Sequence, residues 1–559
     1  MTRAIIGITL MSWAAWPAFS QPAEAPPRFD AADVHPSPKS PNAFVRAPVV
    51  HGGRYEVKFA TMVDLIRIAY GFDGDKVLGG PSWLGMDRFD VTAKVPAEST
   101  AETHKLMLQS LLEDRFKLVA HKDTKPLPTY ALVAGKKPQL KEADGTGETG
   151  CKLQTASGPT PEGGVKLMMS SSSGVATTLT LGPDMMIQYT CRNMTMAAFV
   201  DGLHGMAMMG TALGPNPILD ETGLKGAWNF DIRTTLTLVG DMMQNAGERI
   251  TIFDAVEKQL GLKLEQRQVP TPVIVVDSVN QTPTANPPEV AEALPPIPAP
   301  TEFEVASVKP TPAGESMGHF QLQTGGRLDV KAMPMRFLIS RAFATGMVTN
   351  SDQVTGLPGW ADTERFDIIA KAPSAGPSSP ALDYETVGPL LRALLVDRFK
   401  LKYHTEERPV SAYSLVSAKP KMKKADPASR TSCKFANAAP GTPPGSRTLT
   451  CQNMTMAQFA ERLQNMSQEL SWPVQDSTGI EGGWDFSLTY STAAMMPMMA
   501  GRGGDAAAAA GTAPAASDPN GGYTIFQALE KQLGLKLEMQ KRPMPVIVID
   551  HLEQKPTEN

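Results

Sequence analysis

The stretch Thr251-Ile-Phe-Asp-Ala-Val-Glu-Lys-Gln-Leu-Gly-Leu-Lys-Leu-Glu265 occurs twice in this chain of 559 residues. Its second occurrence, from Thr524 to Glu538, keeps 13 of the 15 residues. In both, apolar residues at helical spacing lead to Leu-Gly-Leu, and alternating apolar and charged residues follow. The pattern predicts an amphipathic helix that ends at the glycine and continues into a strand.

Shorter motifs around this stretch repeat in the same order along the chain. They are Arg88-Phe-Asp90 with Arg365-Phe-Asp367, Asp114–Leu118 with Asp397–Leu401, and Asn193–Met196 with Asn453–Met456. Self-similarity at a long interval indicates tandem structural units. The sequence therefore predicts two copies of one domain, at residues 29–280 and 303–553.

Each copy contains an older repeat of its own. Helical spacing of apolar residues recurs at four places, beginning at Met62, Met196, Met335 and Met456, and a strand that begins with an aromatic residue follows each one. Thr455 and Gln458 have the spacing of a capping box. Each copy is therefore predicted to be α+β and built from two small modules, each with two helices packed on a small mixed β-sheet. The modules span residues 29–140, 187–280, 303–420 and 447–553.

Two segments with turn-forming residues are expected to interrupt this pattern. After the charged strand Leu262-Lys-Leu264, a turn is expected to lead to a closing strand at Pro272–Val276, and Pro545–Ile549 repeats the arrangement. Between the copies, residues 281–302 hold seven prolines up to Pro300, which is typical of a semi-rigid extended linker.

The amino terminus has the pattern of a secretory signal peptide. Arg3 precedes an apolar stretch from Ala4 to Trp16, and Ala18-Phe19-Ser20 offers small residues before Gln21. The stretch is shorter than the roughly 20 residues of a membrane-spanning helix. Residues 1–20 are therefore predicted to be a cleavable signal, which places the mature protein in the periplasm or outside the cell.

Four cysteines in an exported chain favour two disulfides. Each copy holds two, and the second of each pair lies just before Asn-Met-Thr-Met. Equivalent positions should form equivalent bonds, so Cys151 is predicted to pair with Cys191 and Cys433 with Cys451. Metal or redox chemistry would favour a C-x-x-C motif or adjacent histidines, and neither pattern occurs in the sequence.

Residues that could carry chemistry do not form a catalytic pattern. Ser316 matches a G-x-S-x-G motif, but prolines precede it where the nucleophile elbow requires a strand. His121 and His404 occupy equivalent positions and are expected on the surface of strands. Recurring acid–arginine neighbours favour ion pairs at element ends over a binding face; they are Asp87/Arg88, Asp114/Arg115, Glu364/Arg365 and Asp397/Arg398. Met206, Met208 and Met209, and Met495, Met496, Met498 and Met499, could bind Cu(I), although core or loop packing is the more common role of methionine.

Motifs of the second copy together resemble a soil-associated bacterial family that is defined by a shared domain of unknown function. They are Phe303-Glu-Val-Ala-Ser-Val-Lys-Pro310, Asp397–Leu401, Asn453–Ala457, Asp476–Gly479 with Trp484-Asp-Phe486, and Val548–His551 with Lys555-Pro-Thr-Glu-Asn559. The first copy departs from this pattern at Phe29–Pro36 and is expected to end at Asp277-Ser-Val279 without the Lys-Pro-Thr-Glu-Asn tail. The resemblance implies export, and the family offers no catalytic residues. The half-units also resemble the short N-terminal modules of secretins and TonB receptors in the order of their elements.

Composition and motifs together favour a binding protein. A net charge of −4 and 6% aromatic residues disfavour nucleic acid as a partner. No catalytic, cofactor-binding or metal-binding site residues are predicted, so we expect a non-enzymatic exported adaptor that contacts envelope proteins. The alternative is a small-ligand or metal-sensing domain, which the methionine clusters favour, and a hydrolase would depend on Ser316.

Overall fold

The structure is a computed structural model, and it describes most of the chain. The described residues are 26–38, 45–154, 165–170, 176–181, 186–206, 213, 216–235, 250–295, 300–312, 314, 318–323, 325–343, 353–373, 384–436, 446–464, 466, 470, 472–491 and 522–557. Helices and sheets are mixed throughout, which confirms the α+β prediction.

The described helices and strands follow the same order in both copies, apart from the strands Val165–Ser170 and Ala176–Leu181 and the helix Glu289–Ala293, which are found with the first copy. The first copy and the segment after it contain β1 (Ala31–Pro36), β2 (Val49–His51), β3 (Arg54–Thr61), α1 (Met62–Tyr70), β4 (Val77–Gly79), β5 (Arg88–Lys94), α2 (Ala101–Phe116), β6 (Val119–Ala134), β7 (Lys141–Glu142), β8 (Gly150–Leu153), β9 (Val165–Ser170), β10 (Ala176–Leu181), β11 (Met186–Met194), α3 (Met196–Met206), β12 (Ile218–Glu221), β13 (Trp228–Thr235), α4 (Ile252–Leu260), β14 (Leu262–Ser278) and α5 (Glu289–Ala293). The second copy contains β15 (Val305–Pro310), β16 (His319–Gln323), β17 (Arg327–Pro334), α6 (Met335–Ala342), β18 (Val354–Thr355), β19 (Arg365–Lys371), α7 (Tyr384–Phe399), β20 (Lys402–Ser417), β21 (Lys423–Lys424), β22 (Ser432–Ala436), β23 (Ser446–Met454), α8 (Met456–Leu463), β24 (Val474–Asp476), β25 (Trp484–Ser491), α9 (Ile525–Ala528), continued by a π-helical turn (Leu529–Leu533), and β26 (Leu535–His551).

Each half of a copy has its own antiparallel sheet of four strands. The strand orders are β1-β5-β3-β2, β7-β13-β11-β8, β15-β19-β17-β16 and β21-β25-β23-β22. The buried faces of the helices carry the apolar residues that the sequence pattern predicts, such as Leu65 and Ile66 on α1. The predicted capping box at Thr455 and Gln458 is present, and others occur at Thr61, Thr251 and Thr524.

The same type of β-bulge lies near the end of one strand in each of the four halves. The bulged residue has a left-handed backbone in each case: Phe59, Asn193, Ala332 and Asn453. Its backbone N–H donates at 2.8 Å to a side-chain oxygen on the neighbouring strand, from Asp90, Asn229, Asp367 and Asp485 respectively. The bulge leaves this backbone N–H without a partner in the hydrogen-bond ladder between the strands. The aspartate or asparagine that follows the first aromatic residue of the neighbouring strand accepts its hydrogen bond instead.

The expected turn before the closing strand is absent from the described residues, and this part of the prediction is wrong. Strand β14 runs without interruption from Leu262 to Ser278 and pairs with β6 along its whole length. Strands β20 and β26 form the same long ribbon in the second copy. Outer strands join only near the ribbon ends, in the order β12-β6-β14-β4. Pro270 and Pro272 therefore lie where no third strand requires a donor, which is why a strand can contain them.

The ribbon carries each strand from the core of one half into the core of the other. Strand β14 begins in the core of the second half, where its residues Leu262 and Leu264 are buried. It ends in the core of the first half, where Ile274 and Val276 are buried. Strand β6 runs in the opposite direction and buries Leu132 in the second core. The halves of a copy are therefore interleaved, because each core contains side chains from the other half's last strand.

The cysteines pair within each copy, between adjacent strands. Cys151 on β8 lies opposite Cys191 on β11, and Cys433 on β22 lies opposite Cys451 on β23. Among the described residues, no helix has both the length and the apolar character required to cross a membrane.

Removing these disulfides is expected to destabilise the fold. The bonds close sequence separations of 40 and 18 residues, which correspond to about 4 and 3 kcal/mol of unfolding free energy in the loop-closure account. Chemical denaturation should show the larger loss of unfolding free energy for the double variant Cys151→Ala/Cys191→Ala. The double variant Cys433→Ala/Cys451→Ala should show the smaller loss. Equal stability of both variants and the oxidised parent would contradict a structural role.

Candidate functional site

Several sequence-predicted features lie outside the described residues. These are the signal peptide at 1–20, Ser316, Met208, Met209 and the methionines at 495–499, and the side chain of Met206 is likewise not described. His121 and His404 are exposed on the ribbon strands, and each ring lies beside an aspartate on the opposite strand, Asp277 at 2.7 Å and Asp550 at 3.0 Å. Within the described residues, no three histidine, cysteine, aspartate or glutamate side chains lie together as metal ligands would.

Most of the acid–arginine neighbours do not pair with each other. Arg88 and Arg365 each donate to the carbonyl of the left-handed bulge residue, Phe59 at 2.5 Å and Ala332 at 2.8 Å. Their acidic neighbours, Asp87 and Glu364, accept from a glutamine that follows the long ribbon. Only Arg398 forms an ion pair with its neighbour, Asp397, at 3.0 Å. The ion-pair interpretation is therefore wrong for three of the four sites.

The glutamines belong to a tail that both copies possess. In the first copy, Gln281 binds Asp87, and the backbone N–H of Thr284 donates to the carbonyl of Arg115 at 2.8 Å. Gln554 and Thr557 make the equivalent bonds to Glu364 and Arg398. The expectation that the first copy lacks this tail is wrong, because Gln281-Thr-Pro-Thr-Ala-Asn286 corresponds to Gln554-Lys-Pro-Thr-Glu-Asn559.

Arg115 holds the tail of the first copy from within the fold. Its side chain is 7% exposed, and burial lowers the pKa of its guanidinium, which the nearby Asp33 carboxylate partly opposes. The guanidinium donates to the carbonyls of Ala32 and Thr284, at 3.1 and 2.6 Å, and to the side-chain oxygen of Asn286 at 2.5 Å. A planar fork of donors suits this set of oxygens on two separate segments.

Asn286 continues the contact along the edge strand. Its side-chain oxygen accepts from the backbone N–H of Val34 at 3.0 Å, and its amide nitrogen donates to Asp33. An asparagine therefore supplies both an acceptor and a donor to the outer edge of β1, much as an added strand would. This arrangement fixes the start of the segment that follows.

Helix α5 then packs along β1 instead of extending towards the second copy. Val290 and Leu294 are buried at i, i+4 spacing, while Glu289 and Glu292 are exposed. A cleft of about 570 Å³ separates the segment from the outer face of the sheet at Arg54, and Arg54 donates to the carbonyl of Pro295 at 2.5 Å. The predicted extended linker is thus partly helical and bound to the first copy.

The matching surface of the second copy is more apolar and is exposed. Ala31 and Thr92 beside α5 correspond to Val305 and Ile369, which are 65% and 50% exposed. No described residue covers them as Val290 and Leu294 cover the first copy. We name the surface formed by Val305, Ile369 and the outer edge of β15 the open edge. Aligning residues 280–286 with 553–559 could have revealed the shared tail, but nothing in the sequence marks the open edge.

The chain was compared with known families and proteins. A family model described as "Protein of unknown function (DUF3738)" matches residues 63–279 and matches again at 336–552. The chain belongs to this family. The two matches confirm the tandem duplication predicted from the repeats. Neither curated proteins nor solved structures gave a match.

Proposed function

We propose that this DUF3738 protein is an exported, non-enzymatic adaptor whose second copy binds a segment of a partner protein at the open edge. The observation that supports this proposal is the occupied state of the equivalent surface in the first copy, where Val290 and Leu294 are buried beside β1. An exposed apolar patch beside an edge strand is a typical protein-binding surface.

The occupant of the first copy indicates the chemistry of the partner segment. It begins with Pro287-Pro288, continues as one helical turn, and places apolar residues four positions apart, with one glutamate before them and one between them. Arg327 and Lys331 of the second copy correspond to Arg54 and Lys58 beside this segment. The proposed ligand is therefore an acidic peptide of the type Pro-Pro-x-Val-x-x-x-Leu.

Export is the second part of the proposal. It is supported by the signal-peptide pattern at residues 1–20 and by two cysteine pairs at disulfide positions, since disulfides persist in oxidising compartments. Partners would then be proteins of the cell envelope or of the surroundings. The resemblance of the half-units to secretin and TonB-receptor modules agrees with such a role.

A labelled synthetic peptide of residues 287–295 provides the test. Fluorescence anisotropy should show it binding to the full chain, and Val305→Glu/Ile369→Glu should weaken binding by at least about tenfold, because burying one such side chain contributes about 1.5–3 kcal/mol. A peptide with Val290→Glu and Leu294→Glu should not bind. Val119→Glu, which replaces an apolar residue that is 54% exposed elsewhere, is the matched control. Equal binding to all three proteins, or no binding to any, would contradict the proposal.

A further inference from the structure

The two copies contact each other where a loop of the second copy meets a turn of the first. The junction loop, Asp426–Thr431 of the second copy, lies against the junction turn, Gly79–Gly85 of the first. Arg430 donates to the carbonyls of Val77 and Gly79, both at 2.6 Å. Because β4 is the outer strand of its sheet, these alternate carbonyls lie on its outer edge, where one guanidinium can bind both.

Hydrogen bonds within the second copy hold the junction loop in place, and a glycine in the junction turn allows the loop to pack closely against it. The side chain of Asn453 donates to the carbonyl of Ser429 at 2.6 Å, and Thr431, which is buried, donates through its hydroxyl to the Asn453 carbonyl at 2.9 Å. The backbone N–H of Thr431 then reaches the Ser82 carbonyl at 3.0 Å. A Cβ atom at Gly85 would lie 3.3 Å from the Thr431 carbonyl, so glycine gives the loop its room.

The equivalent loop and turn at the other ends of the chain carry acids at the decisive positions. Lys141–Cys151 of the first copy aligns without a gap with Lys423–Cys433, and Glu148 stands where the junction loop has Arg430. The turn of the second copy has Asp362 where the junction turn has Gly85. Glu148 accepts from Lys152, and Asp362 is held in an ion pair by Arg336, as Nη2 to Oδ2 at 2.9 Å.

We infer that the junction is a recognition surface that joins copies of this domain head to tail, and that whole chains do not join end to end in the same way because Glu148 replaces the loop arginine and Asp362 replaces the turn glycine. A head-to-tail contact leaves one loop and one turn free, so it can propagate into a filament unless the free ends are incompatible. A carboxylate cannot donate to the strand carbonyls that Arg430 binds, and two acids facing each other repel. The surface therefore fits a DUF3738 domain with arginine in the loop, opposite a turn with glycine.

The test gives the free ends the residues of the junction. Sedimentation velocity of the full-length double variant Glu148→Arg/Asp362→Gly should show a shift from monomer to dimer and longer species as concentration rises. The wild type should remain monomeric, and so should Glu148→Gln/Asp362→Gly, which loses both acids but lacks the guanidinium fork. Association of the wild type, or a monomeric Glu148→Arg/Asp362→Gly variant, would overturn the role assigned to these two positions.

A second variant tests the junction itself. Arg430→Glu places in the junction loop the residue found in the first copy, and small-angle scattering of the full chain should show a larger radius of gyration as the copies separate. Lys434→Glu, which makes the same change of charge at an exposed neighbouring position, should leave the radius unchanged. An unchanged radius for Arg430→Glu would overturn the junction, whatever the double variant does.

Discussion

Replacing Ile274 by alanine is expected to lower the free energy of unfolding of the first copy by about 2–5 kcal/mol. Ile274 lies on β14, the last strand of the second half, yet its fully buried side chain belongs to the core that α1 and α2 form in the first half. Truncation leaves a cavity between elements from both halves. Chemical denaturation should measure the loss, and hydrogen exchange should show faster exchange in α1 and α2.

The interleaved ribbon also predicts which half each substitution should destabilise. Leu132→Ala on β6, also fully buried, should produce the matching loss in the second half, around α3 and α4. Gln268→Ala, at an exposed position in the middle of the ribbon, should change stability by less than about 0.5 kcal/mol. If Ile274→Ala accelerated exchange around α3 and α4 while α1 and α2 stayed protected, the shared-core interpretation would fail.

Replacing Arg115 by alanine is expected to release the tail and α5 from the first copy. The substitution removes the charged donor from the Asn286 oxygen and from the carbonyls of Ala32 and Thr284, and hydrogen bonds to a charged donor contribute about 1.5–3 kcal/mol each. A net loss of about 3 kcal/mol or more should result. Hydrogen exchange of residues 280–295 should accelerate strongly, because the guanidinium binds both the Thr284 carbonyl and the Asn286 side chain and so fixes the start of the segment.

Two further variants separate the fork geometry from the charge of Arg115. Arg115→Lys keeps the charge but has no planar set of donors, so it should release the segment almost as fully as alanine. Arg28→Ala removes an exposed arginine that pairs with Asp114, the neighbour of Arg115 on α2. It should change the hydrogen exchange of residues 280–295 little. Full protection of residues 280–295 in Arg115→Lys would show that charge alone suffices.

Release of α5 also links this prediction to the proposed function. Once Val290 and Leu294 leave the first copy, the surface at Ala31 and Thr92 becomes available, although it is less apolar than the open edge. The 287–295 peptide should therefore still bind more tightly to the second copy than to the first. The difference follows from valine and isoleucine replacing alanine and threonine at the contact.

The sequence by itself determined the duplication, the four helix-and-strand halves and the α+β class. Those features depend on local patterns, such as the spacing of apolar residues in Ile252–Leu260 and the glycine that follows, which one short stretch contains completely. The repeat also indicated the cysteine pairs, because equivalent positions in two copies narrow the choice of partners. The turn predicted before the closing strand was wrong. Prolines such as Pro270 and Pro272 favour a turn when only the local sequence is considered and the pairing of the strands is unknown.

Only the tertiary structure decided where those elements meet. Whether Pro270 interrupts a strand depends on whether a third strand lies beside it, and whether Arg115 forms an ion pair depends on oxygens more than a hundred residues away. The open edge and the junction are differences between two similar copies, visible only once Val305 can be compared with a covered Ala31, and Arg430 with an exposed Glu148. Burial and long-range partners are properties of the folded chain, because they arise from segments that the sequence keeps far apart.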